Sequence, residues 1–248
     1  VSQDVVAGYA DRLPLCYHHF PIGNKSLALN RVVDTLPKTS FLIFFDDDVA
    51  IRPATIYTFS EAATDYGPGT FFGGILYPAY ETAPPAEVKD YLTPSARTFD
   101  LSRGRDRRQI EDFTFFMGAC WACFRQDLLA VGNFNRHFGP GAKSGARGQE
   151  TDAQLRLIES GVQPVFLAGA AVDHWVTTEM VTADYACDRI FFASILRGRE
   201  HPDLAHTLVM AGKLLYSLVG RSLSPLSVGH RYRIAKAAGY FRGLSQRN

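Results

Sequence analysis

Hydrophobic positions recur along this chain in two periods, and together they predict strands alternating with helices. The run that organises the rest is F-L-I-F-F-D-D-D-V at 41–49, five apolar residues followed by three aspartates. Five residues are too few to span a membrane and suit a strand buried on both faces, as in a parallel sheet. Upstream, Leu29, Val32, Val33 and Leu36 recur at spacings of three and four, predicting a helix over 25–36 that Pro37 closes. Downstream, Pro53 opens a helix to about Asp65, stopped by Gly67-Pro68-Gly69. Residues 70–77 read as a second buried strand whose two glycines admit a close neighbour. Apolar stretches then predict strand over 112–124, a short helix over 125–131, a helix over 149–160 capped by Gly161, and strands at 164–167 and 171–175. Three further helices are expected at 180–196, 204–219 and 231–244. The start is weakly patterned: 1–4 reads as a strand end and 15–20 as a short strand. Helix–strand steps of this kind imply an α/β domain.

Two stretches break the pattern. Residues 78–111 carry four prolines and the basic run 103–108, and so long an irregular segment is usually functional or disordered. The basic run either meets an anionic substrate or only solvates the loop. Residues 134–148 are rich in glycine and are expected to be mobile.

Composition narrows the partners. With 248 residues, 46% of them hydrophobic, the chain can bury a full core, as one large domain over 1–178 with a helical region over 179–248. A net charge of +1 implies no nucleic acid or other global polyelectrolyte partner. The tail is an exception. From Arg197 onward nine Lys/Arg face only Glu200 and Asp203, an excess of seven positive charges. Its helices are expected either on an anionic membrane surface or as an oligomer contact or solvated face. Four cysteines without a framework spacing suggest a reducing compartment, and the sequence shows no signal peptide and no apolar run of spanning length. Opening on Val1 rather than Met, the chain reads as a fragment or a trimmed product.

Four clusters could carry chemistry. Asp46 and Asp48 leave a strand two positions apart and so point the same way, while Asp47 points elsewhere. Adjacent carboxylates must stay hydrated, titrate or meet a cation, and a hard divalent ion is the simplest. The plainer reading is a solvated turn. An EF-hand is excluded by Ile51 at the sixth loop position and the lack of Glu at the twelfth. Glu150 and Asp152 in G-Q-E-T-D open a helix, which is either ordinary capping or a general base beside a glycine-rich loop. His174 in D-H-W follows a late strand and is either a core histidine or a metal ligand. Cys120 and Cys123 form one C-x-x-C without a second pair at zinc spacing, which favours a structural role.

The order of these blocks resembles glycosyltransferase family 2, the inverting group with the GT-A fold. N-K-S-L-A-L-N (24–30) is similar to the family's segment ending Ala-Arg-Asn, with Leu29 where Arg is common. F-D-D-D-V (45–49) resembles its Asp-x-Asp strand end, and M-G-A-C-W-A-C-F-R-Q-D-L-L-A-V-G-N-F (117–134) its block ending Val-Gly-Gly-Phe. G-Q-E-T-D-A-Q-L-R-L (148–157) is similar to the Gly-Glu-Asp-x-Asp helix start, and V-D-H-W (172–175) to the late metal-site histidine of some members. The resemblance covers about 24–175. It lacks the family's opening strand, helix and strand, a gap of roughly 30–40 residues at mean element lengths.

The resemblance implies a Rossmann-like mixed sheet flanked by helices, with a helical appendage at the C-terminus. It implies transfer of a sugar from a nucleotide-diphosphate sugar to the hydroxyl of a saccharide or lipid-linked acceptor, in cell-envelope polysaccharide or glycolipid synthesis at the inner face of the cytoplasmic membrane. Mn²⁺ or Mg²⁺ is then held by Asp46, Asp48 and His174, and the donor by Asp46, Asp47, Lys25, Asn30 and Arg147, with Lys143 as another phosphate clamp. Glu150 becomes the base, one methylene longer than the usual aspartate, and Asp152 a positioning group. A metal-dependent nucleotidyltransferase and a non-catalytic binding module of the same fold are the competing readings.

Overall fold

A computed structural model describes residues 2–143, 147–200, 203–223 and 227–245. It shows an α/β architecture with a mixed, open, six-stranded sheet. In chain order the elements are α1 (Ser2–Ala7), α2 (Lys25–Thr35), β1 (Phe41–Phe44), β2 (Val49–Ile51), α3 (Thr55–Tyr66), β3 (Thr70–Tyr80), β4 (Arg107–Gln109), β5 (Trp121–Phe124), α4 (Arg125–Ala130), α5 (Gln149–Glu159), β6 (Gln163–Val176), α6 (Ala183–Glu200), α7 (Leu204–Leu223) and α8 (Val228–Ser245). The strand order is β1-β5-β3-β6-β2, with β4 also on β6. Among the described residues only β3 and β6 run parallel, and every other pair is antiparallel.

The central apolar run does form a strand with both faces covered. Leu42 and Phe44 join the core that holds Val33, Trp121 and Phe134, while Phe41 and Ile43 join the opposite core around Phe59 and Phe72. The expected parallel setting is not found. β1 is an edge strand, paired antiparallel to β5 and only half-buried at three of its four positions. Apolar runs report face coverage, not strand direction, so direction was not legible there. The start differs as well: Ser2–Ala7 is helical, Val1 lies outside the described residues, and 15–20 is irregular. Of the expected strand over 112–124 only Trp121–Phe124 is extended.

β6 is one strand where the sequence predicts two. Its register against β3 jumps between Gly74 and Ile75, so that 168–170 bulge out at the expected gap. Gly74 makes room, since a Cβ there would lie 2.5 Å from the Ala170 carbonyl oxygen and 2.6 Å from Cys120 Sγ. Thr55, at the head of α3, locks the bulge: its Oγ donates to the Ala171 carbonyl at 2.7 Å and accepts from the Ala171 N–H at 3.1 Å.

Local signals set the helix starts that matter for the site. Asn24 caps α2, accepting from the Leu27 N–H at 2.9 Å. The glycine-rich stretch 134–142 is tied down rather than free. Ser26 donates to the Phe138 carbonyl at 2.7 Å, the Lys25 N–H to the Pro140 carbonyl at 3.1 Å, and Asn24 to the Arg136 carbonyl at 3.1 Å. Part of the basic run is also spent on the fold: Arg107 pairs with Asp65, and Arg108 donates to the Leu101 carbonyl.

The last three helices pack on one another. Gly239 and Gly243 of α8 lie directly on the Phe191 and Ile195 carbonyls of α6, where a Cβ would come within 2.2 Å and 2.1 Å of the oxygens. α7 buries Met210 against Tyr240 and leaves Leu204, Leu208, Leu215 and Val219 at least 65% exposed along its other side. Among the described residues no helix is long and apolar enough to cross a membrane.

Candidate active site

The three aspartates do not continue β1. They form the turn into β2, and β2 pairs with β6 so that Val49 faces His174. The alternation expected of a strand therefore does not apply, and Asp46 and Asp48 diverge. Asp46 turns toward α2, where Lys25 Nζ lies 2.6 Å from its Oδ1. Asp48 turns toward β6, with Oδ2 at 3.4 Å from His174 Nε2, and its carbonyl accepts from the Trp175 N–H at 2.8 Å. Asp47, between them, is exposed.

α5 brings the fourth carboxylate to the same place. Its N-cap, Gly148, sits at φ 91°, a left-handed conformation that glycine adopts without strain. The first turn then delivers Glu150, whose side chain is 15% exposed and whose Oε1 lies 3.0 Å from Lys25 Nζ. Gln149, itself buried, donates a hydrogen bond to the same oxygen. Gly118 floors the carboxyl: a Cβ there would lie 2.8 Å from Glu150 Cδ. Lys25 thus bridges the acidic turn and the α5 carboxylate. Burial pulls its pKa down, but the charges of Glu150 and Asp46, with a hydrogen bond to each, outweigh it and hold the ammonium above the ordinary lysine range.

These groups share one cleft of about 870 Å³. Lys25, Asp46, Asp47, Asp48, Glu150, His174 and Arg147 all line it, as the sequence expects. Asn30, Asp152 and Lys143 do not. Asn30 is consumed by the backbone of Phe134, accepting its N–H at 3.0 Å and donating to its carbonyl at 2.8 Å. Asp152 is held by Arg156 at 2.7 Å, and Arg156 also anchors the Val131 and Asn133 carbonyls. Both residues brace α2 and α5 from the far side. A motif shows which residues accompany a site, and not which way each one faces.

The lining residues that carried no signal in the sequence include Tyr91 from the irregular stretch, Tyr185 and Arg189 from α6, and Tyr232 from α8. Tyr185, Arg189 and Ala193 recur at spacings of four on one helix face, the one pattern that could have marked them. Helices α6 and α8 thus contribute part of the cleft wall.

The metal question turns on unused atoms. Asp48 Oδ1 and His174 Nδ1 are buried without a hydrogen-bond partner, a costly state that a ligand or ion relieves. Among the described residues no three His, Cys, Asp or Glu side chains are grouped as a ready cation cage, and Asp46 is paired with Lys25. An oxygen and an imidazole nitrogen fit Mn²⁺ or Mg²⁺ as a partial site, completed by water and phosphate oxygens in the way such ions are commonly held. No protein-family model and no curated protein matches this sequence.

Proposed function

We propose that the chain is an inverting glycosyltransferase of the family 2 type on a GT-A fold, moving a sugar from a nucleotide-diphosphate sugar to an acceptor hydroxyl. The observation that carries the reading is convergence. The acidic turn, His174, Lys25 and Glu150 come from four separate elements and line a single cleft. The plain turn, the ordinary helix cap and the core histidine do not account for that meeting.

In this reading the acceptor oxygen attacks the anomeric carbon, the carbon–oxygen bond to the diphosphate breaks, and the nucleoside diphosphate leaves. Glu150 takes the acceptor's proton as it attacks, and a single displacement from the face opposite the diphosphate gives inversion. Lys25 fixes Glu150 relative to the acidic turn through its two contacts. Asp48 and His174, with Asp46 beside them, would hold Mn²⁺ or Mg²⁺, which would supply positive charge to offset that of the departing diphosphate. Asp47 and Arg147 face the donor. The exposed apolar side of α7 and the positive excess of the tail support contact with an anionic lipid surface, and with it a lipid-linked acceptor at the inner face of the cytoplasmic membrane.

Calorimetry with nucleoside diphosphates and Mn²⁺, followed by product analysis with sugar donors, tests the reading. Glu150→Gln should keep nucleotide affinity within about two-fold and lower turnover by about 10²–10⁴-fold. Unchanged turnover removes Glu150 as the base. Release of pyrophosphate instead of nucleoside diphosphate assigns nucleotidyl transfer, and binding without any turnover assigns a binding module.

A further inference from the structure

Arg97, Arg147 and Arg189 line the cleft without a salt bridge among the described residues, and the last two act on each other. Lys25 is paired twice, and Arg52, Arg107, Arg156 and Arg231 each hold a carboxylate. Arg147, just ahead of α5, and Arg189, in the middle of α6, both line the cleft. Neither has a carboxylate within ion-pair distance among the described residues. Arg189 is half-buried, with its guanidinium carbon 6.0 Å from the centre of the Tyr185 ring.

They also feel each other. Burial is the largest cause holding the Arg189 pKa below the ordinary arginine range; Tyr185 opposes it, and the positive charge of Arg147 lowers it further. Two like charges lining one cleft, Arg189 half-buried and Arg147 exposed, are unfavourable until an anion joins them. The cleft's own acids do not serve: Asp46 and Glu150 are taken by Lys25, Asp48 faces His174, and among the described residues no ion pair joins Asp47 to either arginine.

The chemistry selects the anion. A guanidinium presents a planar fork that matches phosphate oxygens two at a time, and two forks from separate elements suit a group with more than one negative charge. The start of the eleven-residue helix α5, two positions beyond Arg147, adds favourable dipole on the same side. We propose that Arg147 and Arg189 are the two jaws of a binding site for a multiply charged phosphate group, closed across the sheet domain and the C-terminal helices. The group is either the diphosphate of the sugar donor or a phosphate carried by the acceptor. Only this choice of source rests on the transferase reading; the arginine pair stands on the geometry.

The test uses the full chain and inorganic pyrophosphate as probe, titrated calorimetrically into the wild type, Arg147→Met, Arg189→Met, Arg189→Lys and, as a control outside the cleft, Arg105→Met. Each cleft methionine variant should weaken pyrophosphate by about ten-fold or more. The lysine variant should fall between, since it keeps the charge and loses the fork. The control should change by less than about two-fold. Without anion, the thermal midpoint of Arg189→Met should equal or exceed that of the wild type, because a repulsion is removed. A merely structural arginine would lower it. The proposal is overturned if pyrophosphate does not bind the wild type, if the cleft variants bind it equally well, or if Arg189→Met loses thermal stability. Competition between pyrophosphate and a nucleoside diphosphate with Mn²⁺ assigns the group to the donor; simultaneous binding assigns it to the acceptor. Arginine-dependent pyrophosphate binding in a protein that transfers no sugar would sink the transferase reading and leave the phosphate site standing.

Discussion

Gly118→Ala isolates the placement of Glu150 from its chemistry. The glycine touches no reacting atom, and its φ lies outside the left-handed region, so alanine fits the backbone itself. The new methyl carbon would lie 2.8 Å from Glu150 Cδ and 2.9 Å from Cγ, where ordinary contact begins near 3.4 Å. The carboxyl must retreat by roughly 0.6 Å, and it is held on its other side by Lys25 at 3.0 Å and by Gln149. A misplacement of about 1 Å can cost about 10²-fold in rate, so a loss of about 10- to 100-fold in turnover is expected. Nucleotide affinity should stay within about two-fold, since binding energy away from the reacting centre is untouched. The assay is release of nucleoside diphosphate from a sugar donor, with affinity from calorimetry and fold integrity from thermal unfolding. The decisive comparison adds Glu150→Gln. If Gly118 acts only through Glu150, the double variant is no slower than Glu150→Gln alone. A multiplicative loss, or turnover within two-fold of wild type for Gly118→Ala, refutes the reasoning.

Other outcomes follow from the same description. Burial pushes the Cys120 thiol up to about 12 and Cys123 higher still, so a colorimetric thiol reagent at pH 8 should modify exposed Cys16 promptly, half-buried Cys187 slowly, and the other two only on unfolding. Prompt reaction of Cys120 or Cys123 would contradict their structural assignment. The Asp173 carboxyl is held below its ordinary 3.8 chiefly by the hydrogen bond from Arg52; burial opposes this and the arginine's charge adds to it. A depressed carboxyl lends stability above its unfolded pKa and loses it as pH falls through the folded one. Arg52→Met should therefore destabilise more at pH 6 than at pH 3 in denaturant titrations, and an equal effect at both would rule the pair out. Co-sedimentation with vesicles should show the wild type bound to anionic and not neutral lipid at low salt, and Leu208→Glu with Leu215→Glu should abolish it. Indifference to lipid charge would leave α7 without a membrane role.

Elements with a strong period were legible from the sequence. The helices over 25–36 and 149–160 appear within a residue or so of their expected limits, because Asn24, Pro37, Gly148 and Gly161 punctuate them chemically. The glycines of β3 were legible too: the Phe116 ring fills the space of a Gly73 side chain, 2.2 Å from where a Cβ would sit. What failed depends on distance in space. Strand direction follows from neighbours that no local pattern names, as β1 shows. The bulge in β6 looked like a gap because its residues leave the ladder without leaving the strand. At the site, the acidic turn, Glu150 and His174 could be singled out by residue type and position, whereas Asn30 and Asp152 shared the motifs but face other partners. Arg189 lies in a helix with no motif, and only its seat against the cleft gives it meaning.

At the two glycines by which α8 rests on the carbonyls of α6, no side chain stands between the helices as a cushion. Backbone sits on backbone, so α6 cannot tilt or slide without carrying α8 along, and the Tyr185 and Arg189 wall keeps its distance from the sheet only while both helices are present. A shortened protein designed to end near residue 178, or one pruned of its final helix to improve handling, would discard one side of its own binding cleft. Anyone trimming this chain should treat the eighteen-residue helix α8 as a strut of the cleft.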